Sequence, residues 1–257
     1  MRPIPIAFMV VVIATLIAPP QAAASDDATT PISTDRPAVT DSSIVVPAGS
    51  LQVENGFAQT VSQGQSTFDG PETLLRFGVA SSTELRLTVP DYFGHVEMSS
   101  GFGDLTVGMK QQLGPTPGGF DVSVVVSLSL PTGAHSISSH GYDPSVQLPW
   151  SRALSSNWTA AGMLSVYAPT QQAHRNVTGE TTFLVDRQLT KTWDAFVEYV
   201  GDFPEQGEPR HLVHFGTTYK PTLHQQIDLH VGWGLSSAAV DHFIGVGYSF
   251  RLQVARH

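Results

Sequence analysis

Cysteine is absent from the 257 residues. The absence excludes a disulfide framework, and it also excludes a lipidation site directly after a signal sequence. Positive charge is also scarce, since 13 Lys and Arg stand against 22 Asp and Glu for a formal net charge of −9. This balance argues against nucleic-acid binding, which needs a basic surface. After the first residues, no run approaches the roughly 20 apolar residues of a membrane-spanning helix.

The common catalytic motifs are missing as well. The sequence has no Gly-x-Ser-x-Gly, no His-Glu-x-x-His and no Gly-rich phosphate loop. His211 and His214 are three residues apart, which on a strand directs them to opposite faces and prevents them from sharing a metal. We therefore expect no enzymatic activity, no cofactor and no metal. A hydrolase remains an alternative, because Ser136 shares a loop with His135 and His140.

The N-terminus has the features of a cleaved secretory signal peptide. Arg2 precedes an apolar stretch from Ile4 to Ile17, and Ala22–Ala24 forms a small-residue cleavage site. We assign residues 1–24 to this signal, 25–50 to an N-terminal periplasmic or plug segment, and 51–257 to one domain.

That domain alternates apolar and polar residues. In Phe120–Leu130 the even-numbered residues are apolar and most odd-numbered ones are Asp or Ser, and a period of two places these sets on opposite faces of a strand. We predict twelve strands at about 51–60, 72–79, 83–89, 103–113, 120–130, 145–152, 157–168, 180–189, 193–200, 211–219, 226–235 and 242–252. The register of the seventh and eighth is the least regular.

The predicted connections alternate in length. The long ones are Gln63–Gly70, Pro90–Phe102, Pro131–Pro144, Pro169–Gly179 and Gly201–Arg210, and short turns fall between them. A continuous apolar face, a charged opposite face and this asymmetry indicate an all-β, single antiparallel up-and-down transmembrane β-barrel of about 12 strands. It would lie in the outer membrane of a Gram-negative bacterium, in contact with lipid. A soluble periplasmic β-domain is the alternative fold.

Several stretches resemble the phenol-degradation (MetA-pathway) transporter family, whose members are outer-membrane barrels. They are Thr34–Pro37, Val46–Gly56, Glu72–Gly78 with Thr83–Leu87, Gly103–Lys110 and Gly245–Phe250. The resemblance implies a channel near aromatic-degradation genes, and it carries over no transport residues. Gly245, Tyr248 and Phe250 also resemble the signal read by the outer-membrane assembly machinery, although this chain continues to His257.

Charged side chains of both signs share the inward-facing positions. The candidates for a constriction of the lumen are Glu72, Arg76, Glu84, Arg86, Asp104 and Lys110. They could select solutes by charge and size, or their pairing could only stiffen the barrel. The preceding segment, Ile32–Ala48, is either a periplasmic tail or a plug in which Arg36 pairs with a lumen carboxylate.

The predicted function is passage of small, hydrophobic or aromatic molecules through an outer-membrane channel. Such a channel has a small-molecule solute, lipid and the assembly machinery as partners. Twelve strands predict a narrow lumen, because they lie between filled eight-stranded barrels and wide porins. A structural barrel without a transport role is the alternative.

Overall fold

The computed structural model describes residues 29–95, 100–171 and 174–255. The predicted signal peptide lies outside these residues. In the described part of the chain, no helix has the length and apolar content that crossing a membrane requires.

Antiparallel strands form the regular structure of the described residues. Their bounds are β1 Ser50–Ser62, β2 Gln65–Gly70, β3 Leu74–Ala80, β4 Thr83–Thr88, β5 Tyr92–His95, β6 Gly101–Phe102, β7 Leu105–Thr116, β8 Phe120–Leu130, β9 Asp143–Ala153, β10 Trp158–Tyr167, β11 Thr170–Gln171, β12 His174–Arg175, β13 Thr178–Gln188, β14 Trp193–Pro204, β15 Arg210–Thr222, β16 Gln225–Gly234 and β17 His242–Gln253.

The sheet closes on itself. β17 pairs with β1 in one unbroken register, from Ser50 opposite Gln253 to Val61 opposite His242. Because β2 with β3, β4 with β5, and β6 with β7 each make one interrupted span, the closed sheet has twelve spans. The short hairpin β11–β12 lies outside it. The predicted twelve-stranded antiparallel barrel is confirmed.

The connections sort by length between the two ends of the barrel. At the end that carries Ser50 and Gln253, which we call the terminal rim, the turns are residues 81–82, 117–119, 154–157, 189–192 and 223–224. The opposite end, the loop rim, carries the longer connections 131–142, 168–177, 205–209 and 235–241.

Several connections at the loop rim are shorter than predicted, since β5 and β6 lie within Pro90–Phe102 and β14 runs to Pro204 within Gly201–Arg210. Gln63–Gly70 is not a long loop, because β2 begins at Gln65 and pairs directly with β1. The turn is only Gln63 and Gly64, with φ of 51° and 75°, the left-handed backbone that tight hairpins use. β2 has the sequence QSTFDG, so it lacks the apolar face that reveals the other strands.

Burial is inverted relative to a soluble protein. Leu229 and Trp233 on β16 point outward and are about half exposed. Asp228, which lies next to Leu229 and faces the other side of the strand, is buried. The largest fully buried side chains include Arg76, Lys110 and several Gln and Glu. Apolar groups stay in contact with hydrocarbon at no cost in a bilayer, while polar groups need partners inside the barrel. The fold is therefore that of a membrane barrel.

Candidate functional site

Residues 30–48, which we call the inner segment, lie against the inward face of the barrel. Their central contact is Asp35, whose carboxylate meets three cations of the wall. Its oxygens lie 3.2 Å from Arg76 Nη1, 2.5 Å from Arg86 Nη1 and 3.0 Å from Lys110 Nζ. These cations belong to β3, β4 and β7, which are neighbours in the sheet. One carboxylate thus fastens the segment to three spans.

Two wall carboxylates complete this cluster. Glu84 lies 2.9 Å from Arg76 Nε and also accepts a hydrogen bond from the backbone N–H of Val46 at 2.8 Å. Glu54 lies 3.0 Å from Arg76 Nη1 and accepts from the N–H groups of Asp35 and Arg36. Arg76, Glu54 and Glu84 are 0% exposed. Asp41 also pairs with Arg86, at 3.1 Å, so three cations meet four carboxylates, and these mutual partners permit the charges to be buried.

Arg36 makes a second fastening point. Its guanidinium pairs with Glu72 and, at 3.3 Å, with Asp228 of β16. Gly56 and Gly247 are paired across β1 and β17, and a Cβ added at either would collide with the Arg36 side chain. The two glycines therefore provide the space in which the guanidinium lies.

This packing predicts that Gly56→Val displaces Arg36 and loosens the inner segment. The added side chain occupies the volume of the guanidinium, so both of its carboxylate contacts are lost. Thermolysin should then cleave near Ile44 and Val45 faster than in the parent protein in detergent. Gly179→Val is the matched control, because a Cβ there has no neighbour within 4 Å. Equal cleavage of the two variants would contradict the packing.

Glu198 of β14 holds the middle of the inner segment. It accepts hydrogen bonds from the N–H of Val39 at 2.9 Å and from the N–H and hydroxyl of Thr40 at 2.7 and 2.6 Å. On its other side, Glu198 lies 2.8 Å from His214 Nδ1, and His214 Nε2 lies 3.0 Å from His230 Nδ1. The Thr40 hydroxyl is also 2.5 Å from that of Thr182.

The structure brings five of the six predicted constriction residues to the inner segment. Arg76, Glu84, Arg86 and Lys110 form the Asp35 cluster, and Glu72 contacts Arg36. Asp104 is apart from them, between β6 and β7.

Asp104 instead holds a connection at the loop rim. It accepts hydrogen bonds from the N–H groups of Gly133 and Ser139 and the hydroxyl of Ser138. Burial acts to raise the pKa of Asp104, but these hydrogen bonds hold it below its ordinary value. Its inward parity was predicted, but its distance from the other five along the barrel was not.

Sequence reasoning missed Asp35 as the centre of the cluster, although Thr34–Pro37 was singled out. Asp35 lies outside any strand, where no periodicity assigns it a partner. Among the residues of the proposed assembly signal, Gly245 faces inward, and Tyr248 and Phe250 face outward on β17.

The loop that suggested a hydrolase contains no nucleophile–base pair in its described contacts. His140 Nε2 lies 3.0 Å from the carbonyl oxygen of His135, and no hydrogen bond joins Ser136 to either imidazole among the described residues. No group of three or more His, Cys, Asp or Glu in the described ranges is placed to hold a metal ion.

Two cavities lie along the barrel. The loop-side cavity has a volume of about 620 Å³, and its charged lining is Asp143, Glu180, Asp202, Glu208 and Arg210. The terminal-side cavity has a volume of about 260 Å³ and lies between the inner segment and wall residues that include Ala161, Leu184, Asp186, Phe196 and Thr218. The loop-side cavity is acidic, so its field favours cations and neutral molecules over anions.

Solved structures similar to the chain are outer-membrane proteins. A crystal structure of an outer-membrane channel from Pseudomonas putida F1 superposes with a TM-score of 0.62 at 11% identity, covering 81% of this chain and 97% of that one. The NanC porin gives 0.57 at 9% identity, covering 79% and 100%. The KdgM porin gives 0.53 at 13% identity, covering 80% and 99%. At these identities the likeness establishes the fold.

None of the curated proteins matches the chain. A family model described as "Putative MetA-pathway of phenol degradation" matches residues 34–252. The match spans both the inner segment from Thr34 onward and the barrel almost to its last strand residue. The resemblance stated from the sequence is thereby confirmed, and the chain belongs to this phenol-degradation family.

Proposed function

We propose that the protein is an outer-membrane channel for small neutral molecules of apolar or aromatic character. The observation that carries this proposal is the closed barrel with an apolar outer face and two cavities inside it, one toward each rim. A purely structural barrel of this strand number would have no need of that interior space.

Three further observations support the proposal. The similar structures named above are a channel and two porins. The family description concerns degradation of phenol, a small aromatic molecule. The acidic lining of the loop-side cavity disfavours anions. The terminal rim, with its short turns, faces the periplasm in this proposal, because barrels of this class expose their long loops outside the cell.

In this channel the inner segment restricts passage. Its contacts with β1, β3, β4, β7, β14 and β16 place it across the interior between the two cavities. The ion cluster around Asp35 holds the segment in place. Because its members are paired and no more than 13% exposed, the cluster contributes to closure more than to selection of solutes by charge.

Removal of residues 30–48 tests this function. We expect the mature protein in planar bilayers to show small unitary conductance, and the deletion variant to show conductance several times larger, because the cross-section of the lumen increases. Liposome swelling should be faster with neutral phenol-sized solutes than with aromatic carboxylates in both proteins. If neither protein conducts while both migrate as folded, heat-modifiable barrels, the structural alternative replaces the channel.

A further inference from the structure

A single buried layer separates the two cavities. On β13, Glu180 lines the loop-side cavity and Leu184 the terminal-side cavity, and Thr182 lies between them. On β14, Asp202 and Phe196 line the two cavities, and Glu198 lies between them. The inward residues of this layer are all under 5% exposed, and they are Val125, Met163, Ser165, Thr182, Glu198, Val200 and His214.

The inner segment is fastened unevenly around the barrel. In the described residues, all of its ion pairs with the wall run to Glu72 or to β3, β4, β7 and β16. Toward β13 and β14 its described contacts are hydrogen bonds: Thr40 contacts Thr182, and Val39 and Thr40 both donate to Glu198. The donors of these hydrogen bonds are neutral, whereas an ion pair adds Coulomb attraction between two charges. The wall at β10, β13, β14 and β15 is thus the side to which the described part of the segment makes no ion pair.

Residues 37–40 carry no charge and form a loop between the paired residues Arg36 and Asp41, and the base of this loop is closed independently of that wall. The N–H of Ser42 donates to Asp35 Oδ1 at 2.9 Å, and Lys110 Nζ donates to the Ser42 carbonyl at 2.7 Å. Thr40 can therefore move away from the wall while Asp35 and Ser42 remain anchored to β7. The terminal-side cavity borders this loop, since Pro37, Ala38, Thr40 and Asp41 line it.

We propose that the route for solute runs between the inner segment and the wall formed by β10, β13, β14 and β15. The contact of Thr40 with Thr182 and Glu198, which we call the latch, closes this route. The proposal rests on the channel function and adds the place where the channel opens. Displacement of residues 37–40 from the latch joins the two cavities, and the ion pairs of Asp35, Arg36 and Asp41 stay intact throughout.

Disulfide locks test the route in a protein that has no cysteine of its own. In Thr40→Cys/Thr182→Cys the two thiols replace hydroxyls that are 2.5 Å apart, so oxidation ties the latch shut. In Ser43→Cys/Ser151→Cys they replace hydroxyls 2.8 Å apart, and the segment is tied to β9 beside the route. We expect oxidation to abolish unitary conductance in the first variant, with recovery under reductant. The second variant should conduct like the parent in both states.

The remaining outcomes overturn the inference in distinguishable ways. Loss of conductance in both oxidised variants would mean that the segment must leave the lumen as a whole. Conductance unaffected in both would mean that the route avoids the segment. If the parent and the reduced variants do not conduct but the protein that lacks residues 30–48 does, the channel function stands and the latch is refuted. Silence of all proteins would refute the channel function itself.

Discussion

Asp35→Asn is expected to detach the inner segment from the barrel. The substitution keeps the size of the side chain and its ability to accept from Ser42, but it removes the negative charge that faces Arg76, Arg86 and Lys110. The three cations then lose the one carboxylate that they all share and keep Glu54, Glu84 and Asp41, in a site shielded from water. Removing one partner of such a buried set costs about 3–5 kcal/mol. We expect faster thermolysin cleavage near Ile44 and a higher unitary conductance.

Asp41→Asn is the matched control for this variant. Asp41 pairs with one cation, Arg86, at 3.1 Å, and its side chain is 13% exposed against 6% for Asp35. Its removal leaves the contacts of Asp35 in place, so cleavage and conductance should change little. A larger effect of the Asp41 variant would show that the segment is not held through Asp35.

A lysine at the middle of the outer face is expected to destabilise the barrel in a lipid bilayer. Leu229 is 50% exposed on the outward face of β16, half-way along the strand. A lysine at the midplane of a bilayer costs about 2–4 kcal/mol. Leu229→Lys should therefore lower the free energy of unfolding of the barrel in lipid vesicles by this amount, measured by denaturant titration of heat-modifiable gel mobility.

Leu252→Lys provides the comparison at the rim. Leu252 is 51% exposed on the outward face of β17, next to the end of the strand. Near an interface the cost of the same substitution falls to about 0–1 kcal/mol. Two Leu→Lys variants with equal exposure should therefore differ by a few kcal/mol in lipid. Equal destabilisation would show that the apolar face of β16 is not in hydrocarbon.

The barrel could be predicted because each span repeats one simple signal. Alternation in segments such as Phe120–Leu130 defines the strand, its face and its partner register at once, and the turns confirm the order. The signal failed at Gln65–Gly70, where β2 has few apolar residues and is defined by its pairing with β1 and β5. Its pairing uses backbone hydrogen bonds, which do not depend on the identity of the side chains, so the sequence does not reveal it.

The position of the inner segment could not be read in the same way. Asp35 and Arg36 belong to no strand, so nothing in their spacing states which wall residues they meet. Strand parity places Arg76, Glu84, Arg86 and Lys110 on one face of the sheet, but it does not show which partners the inner segment supplies. Glu54 of β1 and Glu84 of β4 belong to the wall, and the segment adds Asp35 and Asp41, so the three central cations have four carboxylate partners.

The contacts of Arg36 with Glu72 and Asp228 have a consequence for the order in which the barrel assembles. Glu72 belongs to the second span and Asp228 to the eleventh, and the guanidinium between them covers the junction of the first and last strands at Gly56 and Gly247. A residue near the start of the chain thus binds a site to which the last two strands contribute. The complete site requires β16 and β17 in the barrel, so we expect the contact of Arg36 with Asp228 to form only when assembly is complete.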